Sequence, residues 1–452
     1  MGRTAGDCLR VRRLVRNWLA TCVRATAALD TAGHCTDTAN MASTAELITR
    51  YSQGFNRMFL SNHGAASPLG VWLLLALIAP TSEGDDRSVL EAELGTRAAD
   101  AAERAAALLA GDHPAIGCAL AVWAQERFLN ANWDSWRRAI PTAVEFGSVP
   151  DQRVADVWAS EHSRGLIESF PIVLSDATAL VLASALSTAV TWINPFRQVP
   201  ASELGGEFGR LAVTALASAD GHSCLLADTD AAGTVGVHCA DSLDGLSVIS
   251  VIAACDVPAG AVHDAAGQIG ALLAGDANHA HIVSLFDLPL GEGAAWTIAE
   301  SQQKRHGAMS DRTEEVSALL ASWSATSDHD LLAAPGMAAV LPGLEGMLRP
   351  QYLPADFEAK QVATARYSRT GFTAAAVSAL GMQAGAMPVS RVVLNRSATI
   401  RFNRPHAVVA IAHDQVPDLD RGWGTKNLGL PQWSNVPVFS AWVAHPSDRA
   451  SG

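Results

Sequence analysis

Lysine is almost missing from this chain: of 32 basic residues, only Lys304, Lys360 and Lys426 are lysines. With the abundant alanine, this bias fits GC-rich coding and carries no chemistry. Positive charge as a whole is scarce. A formal net charge of −13 argues against nucleic acid or an anionic membrane as a partner. Long apolar runs are missing too, since residues 69–78 cover only about half of a bilayer span and no longer candidate exists. The seven cysteines show no CxxC spacing, and an odd count makes a poor disulfide framework. They suit a reducing compartment or incidental buried thiols, and whether Cys224 pairs with Cys239 across a hairpin is left to geometry.

Catalytic signatures are equally thin. The chain has no GxSxG elbow, no HExxH and no phosphate-cradling glycine loop. Ser301-Gln-Gln-Lys304 matches an SxxK motif, but the companion Ser-Asp-Asn and Lys-Thr-Gly are missing. His279 and His281 would share one face of a strand, yet no third ligand accompanies them, so no metal site is expected. No carboxylate pair stands out as an acid/base couple. Neither a catalytic residue nor a cofactor is expected, and the protein reads as one that works by shape rather than as an enzyme.

What is present is material for a large core, with 49% hydrophobic residues against 17% charged. Residues 1–40 hold six arginines against three acids and no signal-length apolar run. They read as an N-terminal extension, disordered or from a mis-called start, ahead of a single domain over 41–452. Ser43-Thr-Ala-Glu46 is a capping box, and Leu47, Ile48, Tyr51, Phe55, Met58 and Phe59 follow at helical spacing. Ser67 and Pro68 open a second helix, apolar all round and therefore central. Residues 88–110 read as two short surface helices, 119–124 as a strand, 133–140 as a short helix and 179–186 as a buried central strand. Residues 205–300 read as short antiparallel strands and turns. Helices dominate the first third and strands the rest, which gives an α+β class.

The most telling stretch is Arg369, Thr370, Gly371, Phe372, Thr373, Ala374, Ala375, Ala376, Val377 and Ser378, a glycine followed by small residues after a strand-like run. Such a stretch can lie exposed or slide between strands already in place. Other blocks are Trp158 with Ser163, Gly165 and Ile167; Trp192-Ile-Asn-Pro-Phe196; Phe402-Asn-Arg-Pro405; and Val438-Phe-Ser-Ala-Trp-Val-Ala-His-Pro446. Together with Ser67-Pro68, their order and spacing resemble the serpins, the serine-protease-inhibitor superfamily, and among them a bacterial member.

That resemblance implies about nine helices, three β-sheets and an exposed reactive-centre loop. It implies a suicide substrate: a target serine protease cleaves the loop, and the hinge then inserts as a strand into the large sheet. It implies no cofactor, a monomer and an extracellular setting, whereas the lack of a recognisable leader, taken at face value, gives the cytoplasm. After insertion Phe372, Ala374, Ala376 and Ser378 would share the buried face. Phe372 stands where the family has Thr or Ser, and Arg369 where it has an acid. A phenylalanine first onto that face would slow insertion. In the gate beneath the sheet, Ser184 and Gln361 replace the family's Asn and His beside Ser67 and Pro68. Residues 414–437 resemble an insertion between the last two strands. Counting from the hinge places the reactive bond at Gly385-Ala386, suited to an elastase- or subtilisin-like protease. Counting back from Phe402 favours Arg391-Val392, suited to a trypsin-like one. A non-inhibitory binding protein with a merely cleavable loop is the alternative.

Overall fold

The computed structural model describes residues 42–306, 310–353, 355–372, 390–418 and 424–447. Nine α-helices lie among them: α1 (Thr44–Phe59), α2 (Pro68–Ile78), α3 (Gly84–Leu94), α4 (Ala98–Ala110), α5 (Ala131–Ala139), α6 (Gln152–His162), α7 (Phe208–Leu211), α8 (Ala259–Leu273) and α9 (Met337–Glu345). The capping box opens α1 as expected. The Glu46 N–H donates to the Ser43 hydroxyl at 3.2 Å, and the Ser43 N–H donates back to the Glu46 carboxylate at 2.6 Å. Leu47, Ile48, Tyr51 and Phe55 are buried, whereas Met58 is exposed and the end of the helix is held to the core by Phe59, 4.6 Å from Phe55, and by buried Leu60. In α2 only Leu74 escapes full burial, which makes it the central helix.

The first sheet falls into two parts. β3 (Glu145–Gly147), β2 (Ile116–Ala124) and β4 (Leu180–Thr188) form one part. β5 (Val190–Thr191), β17 (Gly371–Phe372), β16 (Lys360–Tyr367) and β15 (Trp323–Asp330) form the other. β5 continues the line of β4 after a break at Ala189. The second sheet runs β1 (Gly64–Ala66), β22 (Val436–Val443), β19 (His406–Ala412), β10 (Leu246–Ile252), β9 (Gly233–Asp241), β8 (Ser223–Thr229) and β11 (Ala280–Ile282). The third runs β12 (Gly291–Glu292), β13 (Trp296–His306), β18 (Ser390–Arg401), β14 (Arg312–Leu320), β7 (Thr214–Ala217) and β6 (Arg197–Pro200). A hairpin, β20 (Gln415–Pro417) with β21 (Thr425–Asn427), occupies the expected insertion between β19 and β22.

One expectation fails. Residues 205–300 are not strands throughout, for α8 crosses the second sheet and packs on α1, β10 and β19. Its three glycines gave it the look of a turn region. Gly260 and Gly267 instead admit α1 closely, since a Cβ on either would lie 3.0 Å from Arg57 or 3.3 Å from Thr49. Ser301 and Lys304 sit on β13, where residues three apart point to opposite faces, so they cannot act together. Cys224 and Cys239 are free: their strands are neighbours, but Cys224 faces His238 and Cys239 faces Ser223. His279 and His281 are exposed and lie beside Asp230 and Asp228 at 2.9 and 3.7 Å.

β4 is largely covered on both faces, whereas Thr326 and Asp328 of β15 and Arg366 of β16 are exposed. Along β4, Val181, Ala183 and Ala185 alternate outward into a cluster with Trp158 and Ala159 of α6, while Leu186 and Val190 join the main core. A helix lying over the sheet requires small residues beneath it, and β4 supplies them.

Candidate functional site

β2 pairs with β4, and β15 with β16, residue for residue. Among the described residues no ladder joins β4 to β16, and a slot lies between them. Leu182 to Ala185 line one side and Lys360 to Val362 the other. Trp158 and Ala159 of α6, with Phe170 beyond it, form the roof, and Leu74 of α2 lines the inner side. The slot holds about 40 Å³ of free space. That is enough for a water or two and far too little for a strand, which needs about 4.8 Å of spacing on each side. β4 and β16 must therefore part before a strand enters.

The gate across the slot is a reciprocal amide lock. The Ser67 N–H donates to Gln361 Oε1 at 3.0 Å, and Gln361 Nε2 donates to the Ser67 carbonyl at 2.9 Å. The Ser67 hydroxyl donates to the Val438 carbonyl at 2.9 Å and accepts the Gly70 N–H at 3.3 Å. Pro68 occupies the first turn of α2, where its missing N–H costs nothing. Ser184 faces Gly70 from β4, with its Oγ 3.1 Å from where a Gly70 Cβ would stand, but its hydroxyl is outside the lock. The structure thus brings Ser67, Pro68, Ser184 and Gln361 together, and among them Ser67 and Gln361 share hydrogen bonds.

Above the gate the chain leaves β16 at Tyr367, turns through Ser368–Thr370 and returns as β17 between β16 and β5. Phe372 stands opposite Tyr367 on one side and Val190 on the other, and Gly371 opposite Thr191. The Trp192 N–H donates to the Thr370 carbonyl at 3.1 Å, and the Phe196 N–H to the Arg369 carbonyl at 3.0 Å. Trp192 Nε1 donates to the Ser368 carbonyl at 3.0 Å. Phe372 is 3% exposed and meets Trp323 edge-on at 6.3 Å, while Trp323 stacks on Tyr367 at 6.0 Å. Burial pushes the Tyr367 hydroxyl's pKa well up. The structure therefore corrects the part assigned to Phe372. It is not waiting to enter the sheet, because it is already seated there. Arg369 is exposed.

Solved structures share this architecture. Human thyroxine-binding globulin complexed with thyroxine superposes with a TM-score of 0.56 at 11% identity, covering 90% of this chain and 99% of its own. A highly specific serpin of the insect Tenebrio molitor gives 0.54 at 12%, covering 91% and 99%. The thermophilic serpin tengpin, in its native state, gives 0.57 at 12%, covering 92% and 96%. The chain has the serpin fold. No family model and no curated protein matches its sequence.

The residues expected to form the rest of the hinge and the reactive bond fall between β17 and β18 or inside β18. Thr373, Ala374, Ala375, Ala376, Val377 and Ser378 lie outside the described residues, as do Gly385 and Ala386. Arg391 and Val392 fall inside β18, paired with Arg305 and Lys304 of β13. Trp158, Ser163, Gly165 and Ile167 form the end of α6, where Gly165 takes a φ of 78° and the Ile167 N–H donates to the Ser163 hydroxyl at 2.9 Å. One further group left no mark in the sequence: His222 and His238, whose rings meet behind Phe196. They stand sixteen residues apart on either side of a hairpin, so no local pattern marks them.

Proposed function

We propose that this protein inhibits a serine protease as a suicide substrate. The observation that carries the reading is β17, a loop segment already seated between β5 and β16 at the head of a closed slot. Extending both ladders one for one past Phe372 would bring Ser378 level with Ser184 on β4 and with Gln361 on β16. The incoming strand would run out of β16 at residue 379 and of β4 at residue 382. Gly385-Ala386 then lies just past the bottom of the sheet, where the bond must be if a captured protease is to be carried the full length.

In the proposed reaction the protease serine attacks the Gly385 carbonyl. The amide to Ala386 breaks, the new Ala386 amine takes the proton, and Gly385 stays esterified to the enzyme. Insertion of Thr373 onward then competes with hydrolysis of that ester. The small residues of the hinge suit a slot that must open for them. Arg391-Val392 is the poorer candidate, since a protease requires an extended segment free of its own sheet. This favours an elastase- or subtilisin-like target over a trypsin-like one.

Incubation with elastase, subtilisin and trypsin, followed by a denaturing gel, tests the reading. A covalent complex with the first two is expected, whereas a cleaved chain alone from all three would refute it. The second reading, a non-inhibitory binding protein, draws on exposed Arg369 in place of an acid and on one similar fold that is solved with thyroxine bound. It predicts cleavage with no complex and no rise in melting temperature, because no stored strain is released.

A further inference from the structure

Residues 190–196 form a strap behind the hinge that is fastened on two sides. Toward the hinge it holds the Arg369 and Thr370 carbonyls through the Phe196 and Trp192 N–H groups. On its other side the Ile193 N–H donates to the Asp241 carbonyl at 2.9 Å, and the Asn194 carbonyl accepts from His222 Nε2 at 2.6 Å. His222 lies in the turn between β7 and β8, and its Nδ1 meets Nε2 of His238 on β9 at 3.0 Å. Phe196 covers both rings, with centroids at 4.5 and 5.2 Å.

This wiring fixes both tautomers. A carbonyl only accepts, so His222 Nε2 carries the hydrogen and its Nδ1, in the neutral ring, must accept. His238 therefore donates from Nε2 and leaves Nδ1 bare. That atom is fully buried without a hydrogen-bond partner, and so is the hydroxyl of Ser250, opposite it on β10. A proton reaching the pair has two destinations. On His222 Nδ1 it sets a donor against a donor, and on His238 Nδ1 it places a charge in a dry interior.

We propose that the His222–His238 pair is an acid-released latch: protonation sets donor against donor and drives His222 off His238, and because His222 keeps its bond to Asn194 it draws the strap away from β9 and frees the hinge strand Gly371–Phe372. Nothing in this requires that the loop trap a protease. The half-exposed His222 gives protons a way in. Against the larger effect of burial, the bond to the Asn194 carbonyl and then the Asp241 carboxylate favour a charged His222, and Asp220 shares its turn. Cys224 from β8 and Tyr367 from β16 are both kept neutral by burial, so neither offers His238 an anion. Burial lowers the pKa of both histidines, and the charge of His222 lowers that of His238 further. With the strap open, both would titrate near 6.5, so the latch is at full strength above that pH and weakens below it. At pH 5.5 the opening equilibrium should rise about tenfold per histidine.

Amide hydrogen exchange on the full chain, corrected for intrinsic rates, reads this directly at pH 7.5, 6.5 and 5.5. Opening of residues 190–196 and 369–372 should grow tenfold to a hundredfold by pH 5.5 and stay insensitive to dilute urea, whereas β10 exchanges only through urea-sensitive unfolding. His222→Gln keeps a donor for Asn194 and an acceptor for His238 without titrating, and it should flatten the rise by about tenfold. An equal rise in His222→Gln overturns the latch, as does a wild-type rise in the strap that is as urea-sensitive as that of β10 and β19. The wild-type comparison of strap with β10 decides the matter even if the variant does not fold.

Discussion

Phe372 shows how far location governs what a side chain does. Read along the chain, it is a bulky group on a face meant for small ones. In the structure it fills a seat among Trp323, Tyr367 and Val190, and it anchors the hinge to the sheet. Phe372→Ala should cost about 3 to 5 kcal/mol in urea unfolding, as loss of a buried phenylalanine does elsewhere. The same variant should speed proteolysis of the hinge, whereas a stability loss under 1 kcal/mol would mean that the seat contributes little. Gln361 was easier to read. Its amide could be foreseen as a polar substitute for histidine, but the two-way bond to Ser67 depends on where β16 meets α2, and no local pattern encodes that. Because the lock is made of amides and a hydroxyl, its own groups do not titrate, although His329 stands opposite Gln361 on β15.

Among elements, legibility followed the strength of local signals. The caps of α1 and α2 are written in a few adjacent residues, and both helices begin where those residues say. By contrast α8 was hidden by its glycines, although Val262, Ala265, Ala266 and Ile269 keep helical spacing on its buried side. The stretch after β19 was legible only as an insertion. What it does depends on Trp433, which is 1% exposed and donates from Nε1 to the Gly111 carbonyl at 3.1 Å. Its ring lies 5.6 Å from that of His113, so the insertion clamps the junction between α4 and β2. Trp433→Ala should therefore destabilise by about 3 to 5 kcal/mol. Exchange protection should drop first at residues 111–116, and a drop starting in β22 instead would contradict the clamp.

At the scale of the whole molecule, buried histidines make the fold acid-sensitive. His263 and His406 are pushed down to about 4, chiefly by burial, so the folded chain keeps them neutral. Unfolded, they take up protons near pH 6.5. Stability is intact above that value and falls as pH approaches 4, by about 1.4 kcal/mol per unit for each. Urea midpoints should accordingly drop between pH 7.5 and 5.5, and a flat profile would count against neutral burial. The order of sheets and helices was readable from spaced blocks, while the closed slot, the seated hinge and the histidine pair arise only when distant segments meet. The seat of Phe372 has one more consequence, and it concerns odd and even. On the proposed insertion it sets the register of every later hinge residue, so loop length would act as a parity code. Deleting Ala375 alone would bring Val377 onto the face shared with Phe372, turn Ser378 away from it and leave the wrong side chain level with Gln361. Deleting Ala375 and Ala376 together would restore the alternation and shorten the stroke by about 7 Å. Protease complexes on a gel should vanish with the single deletion and partly return with the double; the reverse order would show that loop length counts by distance, not by odd and even.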